Sequence, residues 1–193
     1  AMMLFNEMLS KDLNTFNRIL LDAELERGHI HLLAFMYEPW DNAERKAKEE
    51  HASLDDLRGD VHKWFPKEHH YCEEFERQIL QLSELSKIKN FVAFNRLAQG
   101  RAILGRSLMS KVEEEGLKVR ARFERTKDRL KEIRNEAAWF PFPKILVDFN
   151  KDFNYCARNL NWAARQHFQL AENFRRAQDM IGKVEERVNT LED

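Results

Sequence analysis

Apolar residues along this chain recur at alternating steps of three and four, which is the period of a helix and not the alternation of a half-buried strand. The chain therefore reads as all-α. In the first segment the stripe is Leu9, Leu13, Phe16, Leu20, Ala23, Ile30, Ala34 and Tyr37, with Gly28 as a kink. A second stripe runs Cys72, Phe75, Ile79, Leu82, Leu85, Ile88 and Val92, and Gly100 reads as the break that ends it. A third begins Ala102, Gly105, Met109, Val112, Gly116 and Val119 and continues through Phe123, Thr126, Leu130, Ile133 and Ala137.

The last segment is the most regular. Leu146, Phe149, Phe153, Cys156, Leu160, Ala163, His167, Leu170, Phe174, Ala177, Ile181, Val184, Val188 and Leu191 keep the heptad alternation to the end of the chain. As one helix from Lys144 this segment would be on the order of 70 Å long, more than a compact bundle of this size needs. One reading has it project from a single domain over 1–193 and pair with a second copy of the chain. The other has it span an ordinary intramolecular bundle.

Punctuation falls at Glu38-Pro39-Trp40-Asp41, at Trp64-Phe65-Pro66, and at Trp139-Phe140-Pro141-Phe142-Pro143-Lys144. These are the expected corners. Asp41 with Glu44 three residues on has the form of a capping box, and Ser53 with Asp56 is a weaker copy, so 41–63 reads as one helix or two. Pro66 and Pro143 each suit a first helical turn, where a missing N–H costs nothing. The expected architecture is an antiparallel bundle of about five helices at 2–38, 41–63, 66–98, 101–139 and 144–191.

Composition sharpens what this excludes. The chain has 193 residues, 43% of them hydrophobic and 14 of them Phe, so it is neither disordered nor, with only six Gly and four Pro, a turn-rich sheet protein. Thirty-two basic against 33 acidic residues leave a net charge of −1, which removes global charge as an argument for nucleic acid or membrane. Locally the charge is uneven. Residues 41–76 carry eleven acidic and six basic residues, and residues 96–134 carry twelve basic and six acidic. The two stretches read as pairing or solvated faces, or else as an RNA or partner face centred on Arg120, Arg122, Arg125 and Arg129. No window approaches the ~18 apolar residues of a membrane helix, and the N-terminus has neither the basic start nor the apolar run of a signal peptide. With two cysteines, Cys72 and Cys156, in helical stretches and in no CxxC pattern, a cytoplasmic setting is expected.

Candidate chemistry is thin. Helical spacing of three or four joins His69 with Cys72 or Glu73, His70 with Glu73 or Glu74, and His51 with Asp55. No pair repeats, so neither a metal nor another cofactor is expected. Phosphate-loop, dinucleotide, nucleophile-elbow and zincin motifs are absent from the sequence. His167, alone in the heptad seam, reads as a packed or register-setting polar residue.

One local motif stands out, Leu130-Lys131-Glu132-Ile133-Arg134-Asn135-Glu136-Ala137-Ala138-Trp139-Phe140-Pro141. It resembles the signature of HEPN-type helical domains, in which an Arg, often followed by Asn, precedes a His by about four to six residues near a helix end. Arg134 and Asn135 match, while Trp139 and Phe140 occupy the places of the family's His. The resemblance implies dimerisation and, with neither Trp nor Phe able to exchange a proton, a degenerate member without the family's RNA-cleaving activity. It also implies a bacterial defence or toxin-antitoxin setting. The expected function is thus that of a non-enzymatic interaction protein, a homodimer or the binder of another protein. The alternative is an RNA-binding or RNA-cleaving protein that uses Arg134 and Asn135 with His167.

Overall fold

The computed structural model of the chain describes residues 7–8, 11–22, 29–139, 146–166, 168 and 170–192. The described residues form α1 (Asn14–Leu21), α2 (His29–Ala52), α3 (Leu54–Trp64), α4 (His70–Leu85), α5 (Phe91–Ala137), α6 (Leu146–Ala164) and α7 (Ala171–Glu192). The all-α expectation holds. The chain divides into two compact units, Ala1–His62 with Pro66–Leu108, and Lys63–Phe65 with Met109–Asp193.

In the first unit, Phe16 of α1 packs with Met36, Ala43 and Ala47 of α2 and with Phe91 and Phe94 of α5, and Trp40 closes the cluster from its edge. This packing corrects the first expected corner. Helix α2 runs through Pro39 without a break, and Asp41 lies exposed within it instead of capping a new helix. A proline inside a helix costs about 3 kcal/mol. Trp40 offsets that cost by docking between Phe16, at 5.7 Å between ring centres, and Phe94, at 5.5 Å. Glu44 pairs forward with Lys48 at 2.6 Å, so no capping box forms. The helix ends at Ser53 instead, where the hydroxyl bonds back to the Glu50 carbonyl at 2.9 Å and accepts from Arg101 Nε at 3.0 Å. The segment 41–63 is therefore divided at the weaker of its two capping signals.

Gly100 is not a break either. The helix expected over 66–98 stops at Leu85, and α5 starts at Phe91 with Asn90 as its cap: the Asn90 side chain accepts from the Ala93 amide at 2.7 Å. Pro66 precedes α4 rather than opening it, and His69 caps that helix by accepting from the Tyr71 amide at 3.3 Å. Gly100 then lies inside α5, where a Cβ would overlap the Cδ2 methyl of Leu82, so the glycine is kept for close approach of α5 to α4.

The second unit corrects the expected C-terminal helix. Its seam does not continue as one rod from 144 to 191 but turns after Ala164, where Gln166 donates from its backbone to the Ala163 carbonyl at 3.2 Å and from its side chain to the Trp162 carbonyl at 3.1 Å. Both halves of the seam then face the same stretch of α5. Leu130 and Ile133 pack with Cys156, Leu160, Val184 and Val188, and Val119 packs with Ala163, Phe174, Ala177 and Ile181. As α5 runs from 119 to 133, its neighbours in α6 run from 163 back to 156 and those in α7 forward from 174 to 188. The result is a three-helix bundle with α6 antiparallel to the other two. Folding back is favoured because a single 48-residue rod would leave half its seam without an apolar partner, at ~25 cal/mol per Å².

The stripe expected for α5 holds from Val112 onward but not before it. Ala102 and Met109 are exposed, and Leu97, Leu104 and Leu108 take the buried face. At the third corner Trp139 is 89% exposed, so it plugs no core, and residues 140–145 lie outside the described residues.

Candidate functional site

Of the four arginines expected to form a binding face, Arg122, Arg125 and Arg129 share one side of α5 by their spacing. Two of these are engaged with α7. Arg122 grips Glu185 with Nε at 3.2 Å and Nη2 at 2.5 Å, and Arg129 Nη2 donates to Asn189 Oδ1 at 3.0 Å. Arg125 is exposed and donates to the Ala121 carbonyl at 3.4 Å. Arg120 points elsewhere, with its guanidinium 5.6 Å from the centre of the Phe168 ring. The lysines of the same helix close on acidic neighbours within one turn: Lys118 on Glu114 and Glu115, Lys127 on Glu124, Lys131 on Asp128. Hydrogen bonds from Lys118 and Lys111 hold the Glu114 carboxyl down at about 2. The four lysines of 96–134 are thus paired within their own helix, and the positive surplus of the stretch rests on its arginines.

The Arg122–Glu185 pair carries a pH dependence. Its hydrogen bonds hold the Glu185 carboxyl below 4.5, burial opposes them, and the buried Thr126 hydroxyl lies 3.3 Å from Oε1 while donating to the Arg122 carbonyl at 2.9 Å. A carboxyl depressed in the folded state stabilises it above the unfolded value and loses that contribution as pH falls through the folded one. With both side chains about one-third exposed, Glu185→Gln is expected to cost about 1 kcal/mol at pH 7. The difference between wild type and variant should shrink toward zero below pH ~4 in urea titrations at successive pH values. A gap that persisted at acid pH would contradict the assignment.

Arg134 and Asn135 are both exposed in the last turn of α5, and the Arg134 guanidinium lies 5.7 Å over the Phe153 ring of α6. His167 lies outside the described residues. Arg120 and Arg134 are separated by 14 positions on one helix, about 21 Å, so the two ends of the basic stretch do not converge on one site.

Two features were missed by sequence reasoning. The first is the orientation of α2. Its buried side carries Met36, Trp40, Ala43 and Ala47, while Ile30, Leu33, Ala34 and Tyr37, at spacings of three, four and seven, lie outside that core. Ile30 is 82% exposed and Tyr37 71%, and Phe35 is exposed beside them. From His29 to Tyr37 there is no Asp, Glu, Lys or Arg. Periodicity marked Ile30, Ala34 and Tyr37 as a stripe but assigned them to the core.

The second is a polar chain. The sequence paired Cys72 with His69, whereas the structure places His62 of α3 against Cys72, with Nδ1 3.9 Å from Sγ. His62 Nε2 lies 3.4 Å from Glu76 Oε1, and Arg58 Nε reaches both Glu76 oxygens at 3.1 and 3.0 Å. The two histidine nitrogens face different partners, so Cys72 and Glu76 cannot share one ion with His62. Among the described residues no group of three His, Cys, Asp or Glu side chains could hold a metal.

A cleft of about 170 Å³ opens beside α2 over Phe94 and Leu97, with Lys48, His51 and Lys89 on its wall. It falls below the ~300 Å³ at which ligand pockets begin. Among the described residues no helix is long and apolar enough to cross a membrane. No protein-family model, curated protein or solved structure matches this chain.

Proposed function

We propose that this chain is a helical interaction protein that pairs with a second copy of itself through the outward face of α2. The observation that carries this reading is the exposure of Ile30 and Tyr37 on a helical stripe free of charged side chains. Burying such a face is favourable by roughly 1.5–3 kcal/mol for each large apolar side chain. A second copy is the favoured occupant for two reasons. The stripe is apolar along its length and so complements itself across a two-fold axis, and a net charge of −1 leaves little long-range repulsion between copies. With aromatic rings supplying ~150–250 Å² each when fully covered, a symmetric pairing would bury on the order of 1,000 Å² over both copies, where specific association begins.

This route differs from the dimer expected through the C-terminal seam. Phe174, Ala177, Ile181, Val184 and Val188 are all buried within their own unit, so these positions of the seam are already covered. Sedimentation equilibrium over roughly 1–100 µM should show a monomer–dimer equilibrium. Ile30→Glu with Tyr37→Glu should weaken it at least ~100-fold while leaving helical circular dichroism unchanged, since neither side chain is in the core. A chain that stays monomeric throughout overturns the reading, as does a dimer indifferent to the double substitution.

A further inference from the structure

We infer that Cys72, His62 and Glu76 form a thiol site that reacts with small hydroperoxides. The order of groups is that of an activated nucleophile: a thiol, an imidazole facing it, and a carboxylate fixing the imidazole from behind. The carboxylate is itself held, since Arg58 bonds Glu76 through Nε and bonds Asp55 Oδ1 through Nη1 at 2.6 Å. In the tautomer this favours, His62 Nε2–H donates to Glu76, and the Nδ1 lone pair is left toward the thiol. Cys72 is the third residue of α4, in the first turn, with Glu73 beside it in the same turn. The thiol donates to the Pro66 carbonyl at 3.2 Å, and rotation about the Cβ–Sγ bond carries its proton from that oxygen to His62.

Burial selects the reactant. Cys72 is 3% exposed, while the side chains of His62 and Glu76 are each about one-third exposed, so the chain of groups runs from solvent down to the thiol. A hydroperoxide is small and uncharged enough to reach such a sulfur. In the reaction His62 takes the thiol proton and the thiolate attacks the terminal peroxide oxygen. The O–O bond breaks, and the departing hydroxide or alkoxide takes the proton back from His62. Sulfur is oxidised by two electrons to the sulfenic acid and the peroxide is reduced to water or alcohol. A low-molecular-weight thiol returns Cys72 through a mixed disulfide.

The second cysteine serves as the control. Cys156 is fully buried among Leu130, Ile133, Leu160 and Val184, and burial, reinforced by Asp152, pushes its thiol up. The full chain would be treated with hydrogen peroxide in the presence of a dimedone-type sulfenic acid trap, and labelling of the two cysteine peptides followed by mass spectrometry. Cys72 is expected to label at least ten times faster than Cys156. Glu76→Gln and His62→Ala should each slow Cys72 at least tenfold, and added imidazole should restore the rate of His62→Ala, which a purely structural histidine would not allow. Unchanged helical circular dichroism and an unchanged urea midpoint report that each variant is folded; if His62→Ala fails that check, Glu76→Gln decides. Labelling of Cys72 no faster than Cys156 overturns the inference, as does an unchanged rate in a folded variant.

Discussion

Phe174→Ala is expected to remove about 3–5 kcal/mol from the second unit, the cost of deleting a large buried ring and leaving the space unfilled. Phe174 is inaccessible to solvent and sits where all three helices meet, against Val119 of α5, Ala163 of α6 and Ile181 of its own α7. Its ring also meets Trp64 edge-on at 5.9 Å and Phe168 at 5.7 Å, and such aromatic pairs add about 0.5–1.5 kcal/mol beyond area. The small partners Ala163 and Ala177 cannot move in to fill the void. Since whole domains are stable by only ~5–15 kcal/mol, the loss should shift the urea midpoint strongly and redden Trp64 emission at lower denaturant. Phe174→Leu, which retains most of the volume, should cost less than half as much. A change below about 1 kcal/mol for the alanine variant would mean that the ring is not where the three helices meet.

Phe16→Ala should have a similar nominal cost but a different signature. Phe16 is the single buried residue of α1, and its ring stacks on Phe91 at 4.2 Å and 12°. An eight-residue helix does not persist alone in water, because its nucleation cost is recovered only through packing. Without the ring, α1 is expected to undock, which limits the global loss to about 2–4 kcal/mol and moves the effect into local opening. Hydrogen exchange should therefore show amides of Asn14–Leu21 losing protection at least ~100-fold while those of Phe174–Val188 keep theirs. Retained protection across α1 would contradict its dependence on this one side chain.

The errors in reading helix ends share a cause. Pro39 is a strong local breaker, yet Trp40 one residue later is anchored between Phe16 and Phe94, and that tertiary packing outweighs the missing backbone bond. Gly100 is a local breaker too, and it remains helical because Leu82 of α4 occupies the space a side chain would need. Asn90 was legible as a cap but carried no proline or glycine to draw notice. In each case a preference of a few kcal/mol at most met a packing contribution of equal or larger size from residues distant in the chain.

The candidate surfaces show the same division. The arginines on α5 were visible as a run, but the engagement of Arg122 by Glu185 and of Arg129 by Asn189, both on α7, was not. The apolar stripe of α2 was visible as a stripe, and its charge-free character from His29 to Tyr37 could have marked it as a face set apart. The approach of His62 to Cys72 had no sequence signal, since ten residues separate them across the bend between α3 and α4.

By itself, then, the sequence determined that this chain is all-helical, which residues form most of its apolar stripes, and that its last segment carries one continuous heptad seam. Spacing along a chain encodes periodicity directly, because each residue turns about 100° from the last. Only the tertiary structure decided which stripe faces inward, where the seam folds back, and which side chains of separate helices meet. Those outcomes depend on the phase of one helix against another, set by pairs such as Phe16 with Phe91 and Val119 with Phe174, which no local pattern contains.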